Sequence, residues 1–378
     1  MTISRLFRTL ALVAGAAFSL QVSAQGVTND EIVLGQTTAL TGPLAELGID
    51  ATAGAKAYFD YVNAQGGVNG RKIKLISLDD GYNPQKAVMN VKQLVEKDQV
   101  LALFGVLGTP ANVAIMPLIQ QVGIPNFGPA SGSNLVRQPF NRLVFHVIPG
   151  YSDELAKIVE HLTVRGISKI GVVYQDNPFG KEGLIALEQI MAAHNMKLAG
   201  TASIDNTGSD ASKAVDALIK VAPQAIVMVT AGKASFDFIK TYNQRAVGMQ
   251  YFALSVMASQ SAIKALGKDG VGVVVSQTCP FPFSATSRIV QEYQQVMKKM
   301  GVKNWSFASM GGFIEAKVMV DGLRHTGRNL TRERLIESLE TMGKIDYDGF
   351  TINYSKTNHL GHRYVDLTVI SKDGRFLR

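Results

Sequence analysis

Short apolar segments alternate with segments of helical periodicity in the first part of the chain. Residues 31–38, 74–80 and 101–105 are apolar runs of strand length. Segments 51–62 and 84–95 between them carry apolar side chains at helical spacing, which is typical of helices with one buried face. This alternation predicts a mostly parallel sheet with helices on both of its faces.

A second series of the same kind follows FHVIPG (145–150). Apolar strands separated by helical segments are predicted at 169–174, 197–204, 224–230 and 250–255. Segment 271–278 would return the chain toward the first unit, and 356–371 alternates like a late antiparallel pair. We therefore expect an α/β fold of two doubly wound, Rossmann-like lobes joined by several crossings.

The first 24 residues have the pattern of a secretory signal peptide. Arg5 and Arg8 precede an apolar core, Leu10 to Leu20, and a cleavage site of small residues ends at Ala24. The core is shorter than the roughly 18 residues of a membrane span, and no later stretch approaches that length. We expect an exported, periplasmic protein that is cleaved near Ala24 and is not embedded in the membrane.

Composition excludes several partners and reactions. The net charge is +8, or +6 without Arg5 and Arg8, and no dense basic run with interleaved aromatic residues predicts a nucleic-acid partner. Cys279 is the sole cysteine, so large cores rather than disulfides must hold the chain together, and a buried structural thiol is expected.

For His359 and His362, three positions apart and without further ligands nearby, we favour a solvated loop over a metal site. With no P-loop, dinucleotide fingerprint or nucleophile elbow, we expect no catalysis, metal or cofactor.

Two loops that follow successive predicted strands carry small and hydroxyl-bearing residues. The first contains Gly108 and Thr109, and the second contains Ala130 and Ser131. Ligands of open parallel sheets bind beyond the carboxyl ends of the strands, where helix N-termini converge. Hydroxyls and free helix-start amides donate hydrogen bonds to a carboxylate there, so the two loops predict a cradle for a small anion.

A purely structural interpretation stays open for the first loop. Thr109 before Pro110 is an ordinary helix start, at which the threonine hydroxyl caps the helix. The cradle hypothesis instead uses that hydroxyl and the amides of Ala111 and Asn112 for a ligand. The similar chemistry of the second loop favours the cradle.

In their order along the chain, several segments resemble the Leu/Ile/Val-binding family of type I periplasmic binding proteins, the solute-binding subunits of ABC importers. The resemblance implies two lobes joined by three hinge crossings that close on a ligand. The lobes would comprise residues 25–148 with 279–354, and 149–278 with 355–378. The segments that carry the resemblance are the two loops, ALTGPLAELG (39–48), AYFDYVNAQGGVNGRKIKLISLDDGYNPQKAV (57–88) and VVYQDNPFGKEGL (172–184).

The resemblance also implies roles for individual residues. The loop of Gly108 and Thr109, with Leu107 beside it, and the loop of Ala130 and Ser131 would hold the carboxylate of the ligand. Leu47 occupies a position, often aromatic in the family, that lines the side-chain pocket.

Two aromatic residues of the second lobe are expected near the ligand. Phe179 would cover it when the lobes close. Tyr151, at the start of the first helix of that lobe, is either a cleft contact or a tyrosine at the edge of the surface.

Ser255 marks a departure from the family pattern. Amino-acid-binding members pair the ammonium of the ligand with an acidic residue near this position, and a neighbouring aromatic contact falls here around Ala231 or Gly232. A buried ammonium without an anion costs several kcal/mol. A small monocarboxylate or aromatic acid without the ammonium therefore fits better, unless Asp237 or another acid serves.

We expect an extracytoplasmic, monomeric receptor that delivers a small carboxylate to the permease and ATPase subunits of an ABC importer. The cargo would be a branched-chain amino acid or a related amino, organic or aromatic acid. The alternative is a detached sensor that presents a small acid to a membrane receptor without a transport role.

Overall fold

The computed structural model describes residues 25–378, so the predicted signal peptide lies outside the described part. Its first unit is a five-stranded parallel sheet with strand order β2-β1-β3-β4-β5. The strands and the helices between them are β1 (Glu31–Thr38), α1 (Ala45–Asn63), β2 (Lys72–Asp79), α2 (Pro84–Glu96), β3 (Ala102–Phe104), α3 (Thr109–Val122), β4 (Asn126–Phe127), α4 (Asn134–Arg137) and β5 (Val144–Phe145).

The second unit is a mixed seven-stranded sheet. Its helices and parallel strands are α5 (Tyr151–Val164), β6 (Ile170–Gln175), α6 (Pro178–Ala193), β7 (Gly200–Ile204), α7 (Ala211–Val221), β8 (Ala225–Val229), α8 (Lys233–Asn243), β9 (Gln250–Ala253), α9 (Gln260–Leu266) and β10 (Val274–Gln277).

After β10 the chain returns to the first unit and then crosses back. The returning part comprises α10 (Arg288–Lys299), α11 (Phe307–Thr326), α12 (Arg332–Thr341), β11 (Ile345–Asp346) and β12 (Thr351–Ile352). Two antiparallel strands, β13 (Asp366–Ile370) and β14 (Phe376–Leu377), then complete the second sheet in the order β14-β13-β10-β9-β8-β6-β7. The predicted α/β class, with two lobes and three crossings, is confirmed.

Alternation along the strands places a core on each face of the first sheet. Leu34 and Phe104 belong to the cluster that includes α1 and α11, whereas Val33 and Leu103 pack with α2 and α3. Parallel strands with both faces covered are apolar nearly throughout, as the sequence pattern predicts. Among the described helices, none is both long enough and apolar enough to cross a bilayer.

The first and third crossings lie side by side between the lobes. The His146 amide donates to the His359 carbonyl at 2.9 Å, and the His362 amide donates to the Val147 carbonyl at 3.1 Å. The His359 ring stacks on Phe145 with centroids 3.7 Å apart. Both histidines of the third crossing are buried, so the expected solvated loop is wrong.

Helices α1 and α11 touch through their backbones. A Cβ added at Gly54 would lie 1.9 Å from the Ser309 carbonyl oxygen, and one added at Gly312 would lie 2.0 Å from the Ala51 carbonyl oxygen. Neither contact leaves room for a side chain. Gly311, the neighbour of Gly312 in the same helix, has open space around its Cβ position.

We expect Gly312→Ala to lower the free energy of unfolding by about 1–3 kcal/mol, because the added methyl group forces the two helices apart. Gly311→Ala is the matched control, since it adds the same methyl group to the same helix without a clash. Its expected effect is an increase of about 0.5–1 kcal/mol from helix propensity. Urea unfolding of both variants measures this, and equal effects would contradict the close approach.

Candidate ligand-binding site

The two predicted donor loops meet at the ends of adjacent strands. Leu107 and Ala130 pair in a parallel bridge that extends β3 and β4. Thr109 follows Leu107 by two residues, and Ser131 follows Ala130 by one. Their hydroxyls lie 2.8 Å apart and are buried. Parallel pairing of β3 with β4 therefore brings the two loops into direct contact.

Thr109 does not cap its helix. Helix α3 begins at Thr109 itself, Gly108 occupies the N-cap position, and no side-chain cap hydrogen bond forms within the described residues. The structural-cap interpretation is therefore wrong, and the Thr109 hydroxyl bonds to Ser131 instead. The Asn112 amide donates to the Gly108 carbonyl at 3.1 Å, so the expectation that it is a free donor is also wrong.

Tyr82 lies against the first loop. Gly108 has φ +93°, and a Cβ added there would lie 2.5 Å from Cε2 of the Tyr82 ring. Glycine at 108 is thus required by both conformation and space. Tyr82 follows β2 at the same sheet edge, so the strand-end rule that selected the two loops applies to it as well, although it was not predicted.

Tyr151 reaches the loops from the second lobe. Its amide donates to the Gly132 carbonyl at 2.7 Å, and a Cβ added at Gly132 would lie 2.7 Å from its ring. Burial raises the pKa of the Tyr151 phenol to about 12, and interactions with the hydroxyls of Thr109 and Ser131 oppose that rise. The Tyr151 phenol therefore lies near the hydroxyls of Thr109 and Ser131, which belong to the other lobe, and Tyr151 is not the surface-edge residue of the alternative interpretation.

Phe179 supports Tyr151. The two rings pack edge to face with centroids 5.0 Å apart, and Phe179 is part of the core of the second lobe. The structure places it beside Tyr151 rather than on the wall of the cavity between the lobes.

Arg137 fixes the position of the second loop. Its Nη2 donates to three carbonyl oxygens, those of Ser131 at 3.2 Å, Ile148 at 3.0 Å and Pro149 at 2.9 Å. The last two belong to the first crossing, so one buried guanidinium joins the donor loop to the hinge. Burial lowers the pKa of Arg137 to about 10.

A cavity of about 110 Å³ lies between the lobes beside these loops. Its wall includes residues of both lobes and of the second crossing. Five residues expected from the sequence line it: Leu47, Leu107, Ala130, Tyr151 and Ser255. Lining residues that sequence reasoning missed include Thr38, Val256, Gln277, Phe307 and Glu315.

A larger outer groove of about 480 Å³ also lies between the lobes. Pro43 and Tyr82 of the first lobe and Asn177 and Ala231 of the second contribute to its wall. Ala231 was expected near the ligand, and its amide donates to Oε1 of Gln175 at 3.2 Å.

Glu154 is the acidic residue next to Ser255. Its carboxyl accepts hydrogen bonds from the Ser255 amide at 2.8 Å, the Ser255 hydroxyl at 3.1 Å and the Ser276 hydroxyl at 2.5 Å. It is fully buried, and burial raises its pKa. Asp237 instead pairs with Lys233 along α8. Glu154 lies three residues after Tyr151 on α5, and its helical position gave no signal of this contact.

Glu315 on α11 lines the inner cavity and is 5% exposed. Desolvation alone raises its pKa to about 8, and no hydrogen bond from the described residues offsets it. The titratable groups that interact with it are the Cys279 thiol and the Tyr354 phenol, whose pKa values are also raised by burial. Within residues 25–378, no cluster of three or more His, Cys, Asp or Glu residues is placed to hold a metal.

Comparison with known proteins agrees with this arrangement of lobes and cleft. Residues 31–375 match the family model described as periplasmic binding protein. A Leu/Ile/Val-binding protein homolog 8 from Brucella suis is 22% identical, over 92% of this chain and 90% of its own length.

Two solved structures have the same fold. A possible leucine/isoleucine/valine-binding protein from Rhodopirellula baltica superposes with a TM-score of 0.87 at 26% identity, covering 93% of this chain and 97% of that one. A branched-chain amino acid ABC transporter protein from Thermus thermophilus with bound valine gives 0.81 at 17% identity, over 93% and 96% of the two chains. The second likeness shows the fold alone.

We expect the contribution of Glu315 to the stability of the protein to fall as pH rises from about 4.5 toward 8. Its folded pKa of about 8 exceeds its ordinary value of 4.5, so the folded state binds more protons in this window. The loss is up to about 1.4 kcal/mol per pH unit. Urea unfolding at several pH values measures it, and Glu315→Gln, which does not titrate, should flatten this part of the profile. Parallel profiles would contradict the assignment.

Proposed function

This chain belongs to the periplasmic binding protein family, and we propose that it is the solute-binding receptor of an ABC importer. Its proposed cargo is a small carboxylate held between the lobes and delivered to the permease and ATPase subunits. The proposal includes export by a signal peptide cleaved near Ala24, and it includes neither catalysis nor a cofactor.

The hydroxyl cluster of Thr109, Ser131 and Tyr151 is the observation that carries this proposal. Its donors come from both lobes and lie beside the inner cavity, whose wall includes Tyr151. Hydrogen bonds from neutral hydroxyls to a carboxylate are charge-assisted and strong in a site that excludes water. A ligand that contacts both lobes stabilises the closed form, which is the form that a permease would recognise.

The environment of Ser255 supports an acid without an α-ammonium group. The carboxyl that is hydrogen-bonded to it, that of Glu154, already accepts three hydrogen bonds and is fully buried. It is therefore poorly placed to pair with a ligand cation. Small and apolar side chains form most of the cavity wall, which suits a compact apolar acid.

A thermal-shift screen of the ligand-stripped protein tests the proposal. The panel pairs leucine, isoleucine and valine with their des-amino acids and adds aromatic acids and dicarboxylates. A ligand that binds only the native state raises the melting temperature by mass action. Stabilisation by the des-amino acids alone is the expected result, whereas stabilisation by the amino acids alone would restore an amino-acid cargo. A panel without any effect would contradict a carboxylate receptor.

We expect Thr109→Val to weaken every carboxylate that binds by about 1–3 kcal/mol, since it removes a donor to a charged group and keeps the shape of the side chain. Calorimetric titration with the best ligand of the screen measures the effect. Thr163→Val is the matched control, because that hydroxyl donates to the Val159 carbonyl within α5 and serves no loop. Unchanged affinity in Thr109→Val would place the carboxylate elsewhere.

A detached sensor remains the second candidate, since the same closed form would suit a membrane receptor without a transport role. Uptake of the identified ligand by cells that lack this chain separates the two. Loss of uptake that the wild-type chain restores supports the importer, and undiminished uptake supports the sensor.

A further inference from the structure

The inner cavity has a second polar end, separate from the hydroxyl cluster. Glu315 is the one charged residue on the wall formed by the described residues, and Gln277 lines the same cavity. We propose that this end is a subsite for a hydroxyl group at the far end of the ligand, whose one proton is shared between acceptor oxygens of Glu315 and Gln277. This inference rests on the proposed function, because it assigns another part of the same ligand.

Two glycines make room for the Glu315 carboxyl. A Cβ added at Gly105 would lie 3.4 Å from its Oε2, and one added at Gly128 would lie 3.2 Å from its Cδ. Both glycines have positive φ and stand directly after β3 and β4. The strand ends are thus shaped around this side chain, although no described residue hydrogen-bonds to its carboxyl.

Gln277 contributes a second acceptor whose orientation is fixed. The Thr368 hydroxyl donates to the Val275 carbonyl at 3.1 Å, so it accepts from Nε2 of Gln277 at 2.8 Å. That assignment leaves Oε1 of Gln277 as the acceptor without a partner in the described chain, on a side chain that is 1% exposed. An unpaired buried acceptor is costly and favours a ligand that donates to it.

The spacing along the strands sets the length of the ligand. Gly105 and Gly128 each precede the Leu107–Ala130 bridge by two residues. Two residues of strand span about 7 Å, so the subsite lies roughly that far from the start of the donor loops. A carboxylate with a hydroxyl at the opposite end of a benzene ring or of a five-carbon chain has a suitable length.

A neutral donor suits this end better than a cation. Burial favours the protonated form of Glu315 near neutral pH, and Cys279 and Tyr354, which interact with it, are neutral there as well. The carbonyl oxygen of a protonated carboxyl accepts from a hydroxyl without any change of charge. An ammonium would pair best with the ionised form of Glu315, which burial disfavours.

Two pairs of acids test the subsite by calorimetric titration of the ligand-stripped full-length mature protein. They are 4-hydroxybenzoate with 4-methylbenzoate, and 5-hydroxypentanoate with hexanoate, which exchange a hydroxyl for a methyl group of similar size. We expect the wild-type protein to prefer the hydroxyl member of at least one pair by about tenfold or more. Glu315→Met should reduce the preference at least threefold, because only the Gln277 acceptor remains, and leave the affinity for the methyl member within about threefold.

Glu315→Gln is the second variant, because an amide still accepts a hydrogen bond. It should keep the preference, which separates a lost acceptor from a damaged fold. Equal binding of both members by the wild-type protein, or a preference that is undiminished in Glu315→Met, would overturn the subsite alone. Tighter binding of 5-aminopentanoate than of 5-hydroxypentanoate would overturn the neutral-donor assignment. Failure of all these acids and of the earlier screen to bind would overturn the carboxylate receptor and the subsite with it.

Discussion

The buried guanidinium of Arg137 is the contact on which the geometry of the cleft depends. Its hydrogen bonds to the carbonyls of Ser131, Ile148 and Pro149 join the loop of Ala130 and Ser131 to the first crossing. Breaking these hydrogen bonds would leave a buried cation without acceptors, so they hold the loop and the hinge in a fixed relation to each other. Tyr151 begins its helix immediately after this crossing, and its amide bonds back to Gly132. The hydrogen bonds of Arg137 and of the Tyr151 amide thus bring the hydroxyls of the two lobes close together.

Close backbone approach shapes the remainder of the site. Gly108 admits the Tyr82 ring, Gly132 admits Tyr151, and the glycines after β3 and β4 leave space for Glu315. At each of these glycines a neighbouring side chain fills the space that a Cβ would occupy. The cavity is therefore small, and polar groups reach it from several elements. The same close packing buries titratable groups, among them Glu154 and Glu315, and desolvation raises their pKa values.

The sequence predicted the fold well and the site in part, for physical reasons that differ. Strand–helix alternation is a local pattern, and the meeting of the 108–109 and 130–131 loops follows from parallel pairing of consecutive strands. The contacts of Glu154 and Glu315 depend on helix faces packed against distant strands, which periodicity does not specify. The strand at 250–255 ends at Ala253 because Ser255 bonds to Glu154 instead of to a neighbouring strand. Ligand binding by the predicted residues stays a prediction.

The lobes also touch at places that are independent of the cavity. The Glu46 carboxylate, on α1, accepts from the amides of Gln260 and Ser261 at 2.8 and 2.6 Å, at the start of α9 in the opposite lobe. A carboxylate at a helix start is favourable but exposed, so this contact contributes modestly. These weak contacts offset only part of the free energy lost when the cleft surfaces are dehydrated. A ligand must supply the remainder. In the proposed function, a small ligand held at both ends, by the hydroxyl cluster and near Glu315, would supply this free energy through few contacts, because each of them would be buried between the lobes.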